Sequence, residues 1–138
     1  MTDRYIFRGK SLVSGEWVSG LLINKRNWSL KDRAYIKYYP NYKGETDDEG
    51  KYVCVDFCTI GQCTGLRDKN GTLIFEGDVV CIMHKHSNEA RTGVVKWSDC
   101  QWFIAGEYAE YADRLYDMQI IGNKVDNPDL LPQHETEG

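Results

Sequence analysis

Residues Gly61–Met83, GQCTGLRDKNGTLIFEGDVVCIM, followed after a polar loop by GVVKW at 93–97, decide the architecture. The tetrapeptide Asp68-Lys69-Asn70-Gly71 is a tight turn: Asn tolerates a positive φ and Gly prefers one. Glu76-Gly77-Asp78 forms a second corner, where Gly supplies backbone freedom and both acids are expected to face water. Val79 to Met83 and Val94 to Trp97 then read as apolar strands. Two turns and two strands in so short a span describe a small, strongly bent β-barrel.

The composition agrees with that reading. The chain has 138 residues, enough for one domain, or a small domain with an extension, and for a core that needs neither disulfides nor metal. Nine Tyr and four Trp suit half-buried pleated surfaces, and thirteen Gly against three Pro suit a chain of many turns. A net charge of −4 argues against nucleic-acid binding over the whole surface and against an anionic membrane. No apolar run approaches the ~20 residues of a bilayer span. MTDRYIFRGK lacks the apolar centre of a signal peptide, so the expected location is the cytoplasm. The five cysteines then read as reduced thiols.

Strand signals recur along the rest of the chain. Tyr5–Arg8 and Trp17–Ile23 read as a hairpin turning at Ser14-Gly15, and 34–39 and Tyr52–Asp56 as two more strands. Further strands are expected near 60–67, 72–75, 79–83, 91–97, 101–104 and 115–121. Residues 105–115 are open between a short helix and a loop, with Tyr108, Tyr111, Ala112 and Leu115 at helical spacing. Asn127-Pro128-Asp129 is a helix start that ends by about Leu131. The expected core is Phe7, Trp17, Leu22, Val53, Val55, Leu66, Ile74, Val79, Ile82, Val94, Trp97, Phe103 and Ile121.

Few residues form a pattern that carries chemistry. Cys54, Cys58 and Cys63 precede His84 and His86, but no C-x2-C knuckle accompanies them, and Cys54 alternates with Val53 and Val55 as a buried strand residue does. His84-Lys85-His86 reads as a solvated loop. The common signatures of NTPases, dehydrogenases, zinc proteases and serine hydrolases are absent. No metal, cofactor or catalytic residue is therefore assigned, and the chain is expected not to be an enzyme. A small enzyme with an unfamiliar site is the remaining alternative.

One segment stands apart in charge. Residues 24–43 hold six basic residues and one acid, a net of +5 that leaves −9 for the remainder. Tyr and Trp are interleaved with the charges. Basic groups follow phosphates while aromatic faces stack on bases, so the mixture suits single-stranded nucleic acid. It equally suits a self-complementary subunit interface, because Glu45, Asp47, Asp48 and Glu49 follow at once. An ordinary amphipathic strand gives the same alternation. The candidate contact residues, for nucleic acid or a partner, are Lys25, Arg26, Trp28, Arg33, Tyr35, Lys37, Tyr38 and Tyr39.

FRGK near the N-terminus, GEWVSG after it, the block IGQCTGLRDKNGTLIFEGDVV and IIGNKVDNPDLL near the end together resemble the YopX family, found mostly in phages and prophages of bacteria. The likeness runs over residues 6–131, and the middle block is its most specific part. Cys63 stands where an aromatic is expected. The resemblance implies an all-β fold with an SH3-like barrel, a cytoplasmic setting in a bacterial host, and self-association. It implies no activity and no catalytic residues.

The sequence thus predicts an all-β protein: a β region over 1–60 packed on or extending a barrel, a small SH3-like barrel over 61–125, and a short helical turn and tail over 126–138. The expected role is a non-enzymatic binding or assembly module, a homo-oligomer acting through protein contacts. Single-stranded nucleic-acid binding is the alternative.

Overall fold

The computed structural model describes residues 5–26, 32–38 and 51–131, which form two compact units, Met1–Cys63 and Thr64–Gly138. Both are built from antiparallel strands.

In the first unit, β1 (Phe7–Lys10) and β2 (Trp17–Arg26) form the hairpin. Its turn is held by Ser11, whose hydroxyl accepts from the N–H groups of Val13 and Ser14, each at 3.1 Å, and by Gly15 at φ 74°. β3 (Asp32–Tyr38) pairs with β2, and β4 (Lys51–Val55) with β3. The start of β5 (Gly61–Arg67) lies beside β1. An isolated bridge, Ser11↔Val55, reaches from the turn back to β4.

Alternation sorts the side chains of this sheet into two faces. Ala34, Ile36 and Val55 are buried on one, with Phe7, Val18, Leu22, Val53 and Ile60 packed against them. Full burial of an aliphatic side chain such as Ile36 contributes roughly 1.5–3 kcal/mol. Gly9 is required here, because a Cβ at that position would meet the Val55 side chain at 2.9 Å.

In the second unit the remainder of β5 leads through the Asp68–Gly71 turn to β6 (Leu73–Phe75). The strands β7 (Asp78–His84), β8 (Ala90–Ser98), β9 (Gln101–Ile104), β10 (Glu107–Tyr108) and β11 (Tyr116–Asn123) form a five-stranded sheet in the order β10-β9-β8-β7-β11. The helix α1 (Ala109–Leu115) joins β10 to β11. Its buried residues are Ala109 and Ala112, which meet a core of Ile74, Val80, Ile82, Val95, Ile104, Ala105 and Met118. Residues 105–115 therefore resolve as a turn, a two-residue strand and a helix.

Fold class and strand positions follow the sequence. Among the described residues no sheet closes into the expected barrel; the chain has two antiparallel β units and one short α-helix.

Six local expectations are corrected. Trp17 and Phe103 are half-buried and lie outside the two core clusters: Trp17 alternates away from Val18 and Leu22 along β2, and Phe103 lies beside exposed Lys96 while its neighbour Ile104 turns inward. Asp78 does not face water: it is 1% exposed, and its Oδ2 accepts from the Phe75 N–H at 2.7 Å across the Gly77 corner, where φ is 90°. Trp97 is 53% exposed rather than core, because β8 buries Gly93, Val94 and Val95 consecutively and its later residues emerge. Ile121 is turned outward by a register shift between Ile120 and Gly122 in β11. Asn127 precedes a 3-10 turn at Pro128–Leu130 but does not cap it; its Oδ1 accepts from the Asn123 N–H at 3.2 Å.

Candidate binding face of the N-terminal unit

The face of the first sheet opposite its core carries the segment's chemistry. Register places Lys10 against Trp17, Arg8 against Ser19, Leu21 against Lys37, and Ile23 against Tyr35. β4 continues two of these rows, with Tyr52 beside Lys37 and Cys54 beside Tyr35. Directly opposed residues share a face, so cations and rings alternate across four strands.

Three cation–ring contacts order this face. The Arg8 guanidinium lies 4.6 Å from the centroid of the Trp17 ring, and the Lys10 ammonium lies 5.8 Å from it. The Lys37 ammonium lies 5.2 Å from the Tyr52 ring. Such pairs are worth about 0.5–1 kcal/mol at exposed sites. They hold long, mobile cations in place, so a partner meets charges already positioned. Tyr52 is half exposed and Leu21 nearly so, which leaves apolar surface between the charges.

The residues named from sequence are distributed unevenly. Tyr35 and Lys37 lie on this face. Tyr38 takes the alternate position, on the side of Ala34 and Ile36, and pairs in register with Lys51. Lys25, Arg26 and Arg33 lie on the paired ends of β2 and β3, where Lys25 opposes Arg33 and Arg26 opposes Asp32. Trp28 and Tyr39 fall outside the described residues. Sequence reasoning missed Arg8, Lys10 and Tyr52, and it assigned Trp17 to the core. Their signal was period-2 alternation: Arg8 and Lys10 flank Gly9, and Trp17 and Tyr52 neighbour Val18 and Val53.

The other sequence candidates take structural roles. His84 Nδ1 accepts from the N–H groups of His86 and Ser87 at 3.1 and 3.2 Å, tying the β7–β8 turn. Its ring meets Tyr116 edge-on at 5.0 Å. None of the five cysteines is in a disulfide; Cys63 is buried and Cys58 and Cys100 are exposed. Among the described residues no group of three or more His, Cys, Asp or Glu is placed to hold a metal ion. Among those residues, also, no helix is long and apolar enough to cross a membrane.

Fold and face together define an antiparallel β protein of two units with a cation–aromatic sheet surface. The chain belongs to the YopX protein family, whose model matches residues 7–132. Its fold is similar to the crystal structure of protein EF1440 from Enterococcus faecalis, with a TM-score of 0.50 and 20% identity over 91% of this chain and 96% of that one. At that identity the likeness concerns the fold alone. No curated protein matches the chain.

Proposed function

We propose that this chain is a non-enzymatic binding and assembly module that acts through protein contacts made by the outer face of its N-terminal sheet. The observation that carries the reading is the set of three cation–ring contacts on one sheet face, beside exposed Leu21 and Tyr52. Aromatic residues and Arg are enriched in the centres of protein interfaces. The partner chemistry that fits is an acidic surface with apolar relief. A second copy of this chain offers such chemistry in Glu45, Asp47, Asp48 and Glu49, so the module self-associates in this reading. In the second unit the bent strands and covering helix are read as SH3-like. A cytoplasmic setting in the bacterial host of a prophage accords with the family's usual source.

Non-enzymatic action is supported by the use made of buried acids. Asp78 holds the Phe75 N–H. Asp68, 8% exposed, holds the N–H groups of Asn70, Thr72 and Ile120. Both carboxylates accept hydrogen bonds from backbone N–H groups.

The same cations and rings favour a second reading, single-stranded nucleic acid, in which phosphates meet Arg8, Lys10 and Lys37. Two titrations separate the readings. Light scattering during gel filtration at low and high salt reports self-association, and a fluorescently labelled oligothymidine titrated at the same salts reports nucleic-acid binding. Salt-sensitive dimers without oligothymidine binding support the first reading. Oligothymidine binding by a monomer supports the second and overturns the first.

A further inference from the structure

A different surface, within the second unit, has the build of a peptide-docking strip. Register aligns Lys96, Phe103 and Tyr108 in one row across β8, β9 and β10. The row continues onto α1. The Phe103 and Tyr108 rings lie 5.1 Å apart, Tyr108 and Tyr111 lie 6.0 Å apart, and the Arg114 guanidinium lies 5.5 Å from the Tyr111 ring. Three rings in sequence are thus bounded by a cation at either end. Tyr108 and Tyr111 are 45% and 44% exposed, because α1 buries Ala109 and Ala112 instead. At the lysine end, an open groove of about 230 Å3 is lined by Val94, Lys96, Ser98, Phe103 and Gly106.

We propose that the strip Lys96–Phe103–Tyr108–Tyr111–Arg114 docks an extended, proline-containing peptide segment that carries an acidic residue at each end. The groove is smaller than the ~300 Å3 at which pockets begin to enclose drug-sized molecules, so it receives one side chain. The 6.0 Å spacing of Tyr108 and Tyr111 is close to the ~6 Å advance of two polyproline II residues, a conformation that aromatic-lined grooves bind at low entropic cost. The bounding cations select acidic ends.

The test uses the whole chain and the peptide Glu-Pro-Pro-Leu-Pro-Pro-Glu, with calorimetry for affinity and amide chemical shifts for location. The expected result is binding that shifts resonances of residues 96–114. Replacing Tyr108→Ala together with Tyr111→Ala is expected to weaken it about tenfold or more, the usual consequence of removing aromatic anchors. Both side chains are exposed, and an unchanged melting temperature verifies that the fold survives. Arg114→Glu is expected to weaken the acidic peptide and to admit a version with Lys at that end. The proposal is overturned by absence of binding at millimolar peptide, by equal affinity for a peptide with Lys at both ends, or by preferential binding of an oligothymidine on the same residues. Shifts confined to the first unit would overturn it too, while leaving the N-terminal face unaffected.

Discussion

The Asp78 carboxylate accepts a 2.7 Å hydrogen bond from the Phe75 N–H, closing the corner that Gly77 makes possible. A buried donor deprived of its partner costs about 1–3 kcal/mol. Asp78→Ala is therefore expected to lower stability by about that amount in urea unfolding. Glu76→Ala is expected to stay within about 0.5 kcal/mol, as surface changes usually do. Equal effects at the two acids would contradict the structural role of Asp78.

Asp68 serves the neighbouring turn through both oxygens. Oδ1 accepts from Asn70 and Thr72 at 2.9 and 3.0 Å, and Oδ2 accepts from Ile120 at 3.2 Å. Asp68→Ala removes all three acceptances, with an expected loss of about 2 kcal/mol or more, since hydrogen bonds to charged groups are the stronger ones. Faster amide exchange at Thr72 and Ile120 is the accompanying signature.

These two acids show what local pattern conveys. The Asp68–Gly71 turn and the Gly77 corner were legible because turn chemistry resides in the backbone preferences of adjacent residues. The fate of Asp78 was not, because its acceptor role depends on a strand end folding back three residues. Trp97 and Ile121 failed for a related reason: hydrophobic type does not reveal where a strand leaves its core or where a bulge inverts it. On the candidate face, Tyr35 and Lys37 were found by their charge and aromaticity. Arg8, Lys10 and Tyr52 were not, because strand pairing assembles them from distant sequence.

The β8–β9 turn is a site for stabilisation. Asp99 and Cys100 both lie in the left-handed region, at φ 51° and 61°, as a two-residue hairpin of the primed type requires. Gly is the preferred second residue. Cys100→Gly is expected to raise stability by about 0.5–1 kcal/mol, because relief of left-handed strain exceeds the added chain entropy. A lower unfolding midpoint would contradict this account of the turn.

Two glycines are expected to respond differently to alanine. A Cβ at Gly93 would meet the Ala105 backbone at 2.6 Å, whereas at Gly71 nothing lies within 4 Å and only the φ of 84° opposes it. Gly93→Ala is expected to cost about 1–3 kcal/mol through displaced backbone, and Gly71→Ala about 1 kcal/mol through conformation alone. Denaturant unfolding of the two variants checks the order, and the reverse order would contradict the close approach of β8 to the Ala105 turn.

The proposed role rests on the outer face of the N-terminal sheet, and one measurement addresses it directly. The chain mass is 15.9 kDa. Light scattering of the unaltered chain is expected to give a larger species at low salt that declines as salt screens the basic face. The pair Lys37→Glu and Tyr52→Ala, which removes one cation–ring contact and an exposed ring, is expected to give a monomer at every salt with an unchanged melting temperature. An unaltered chain that remains a 15.9 kDa monomer at high concentration and at every salt would contradict the account.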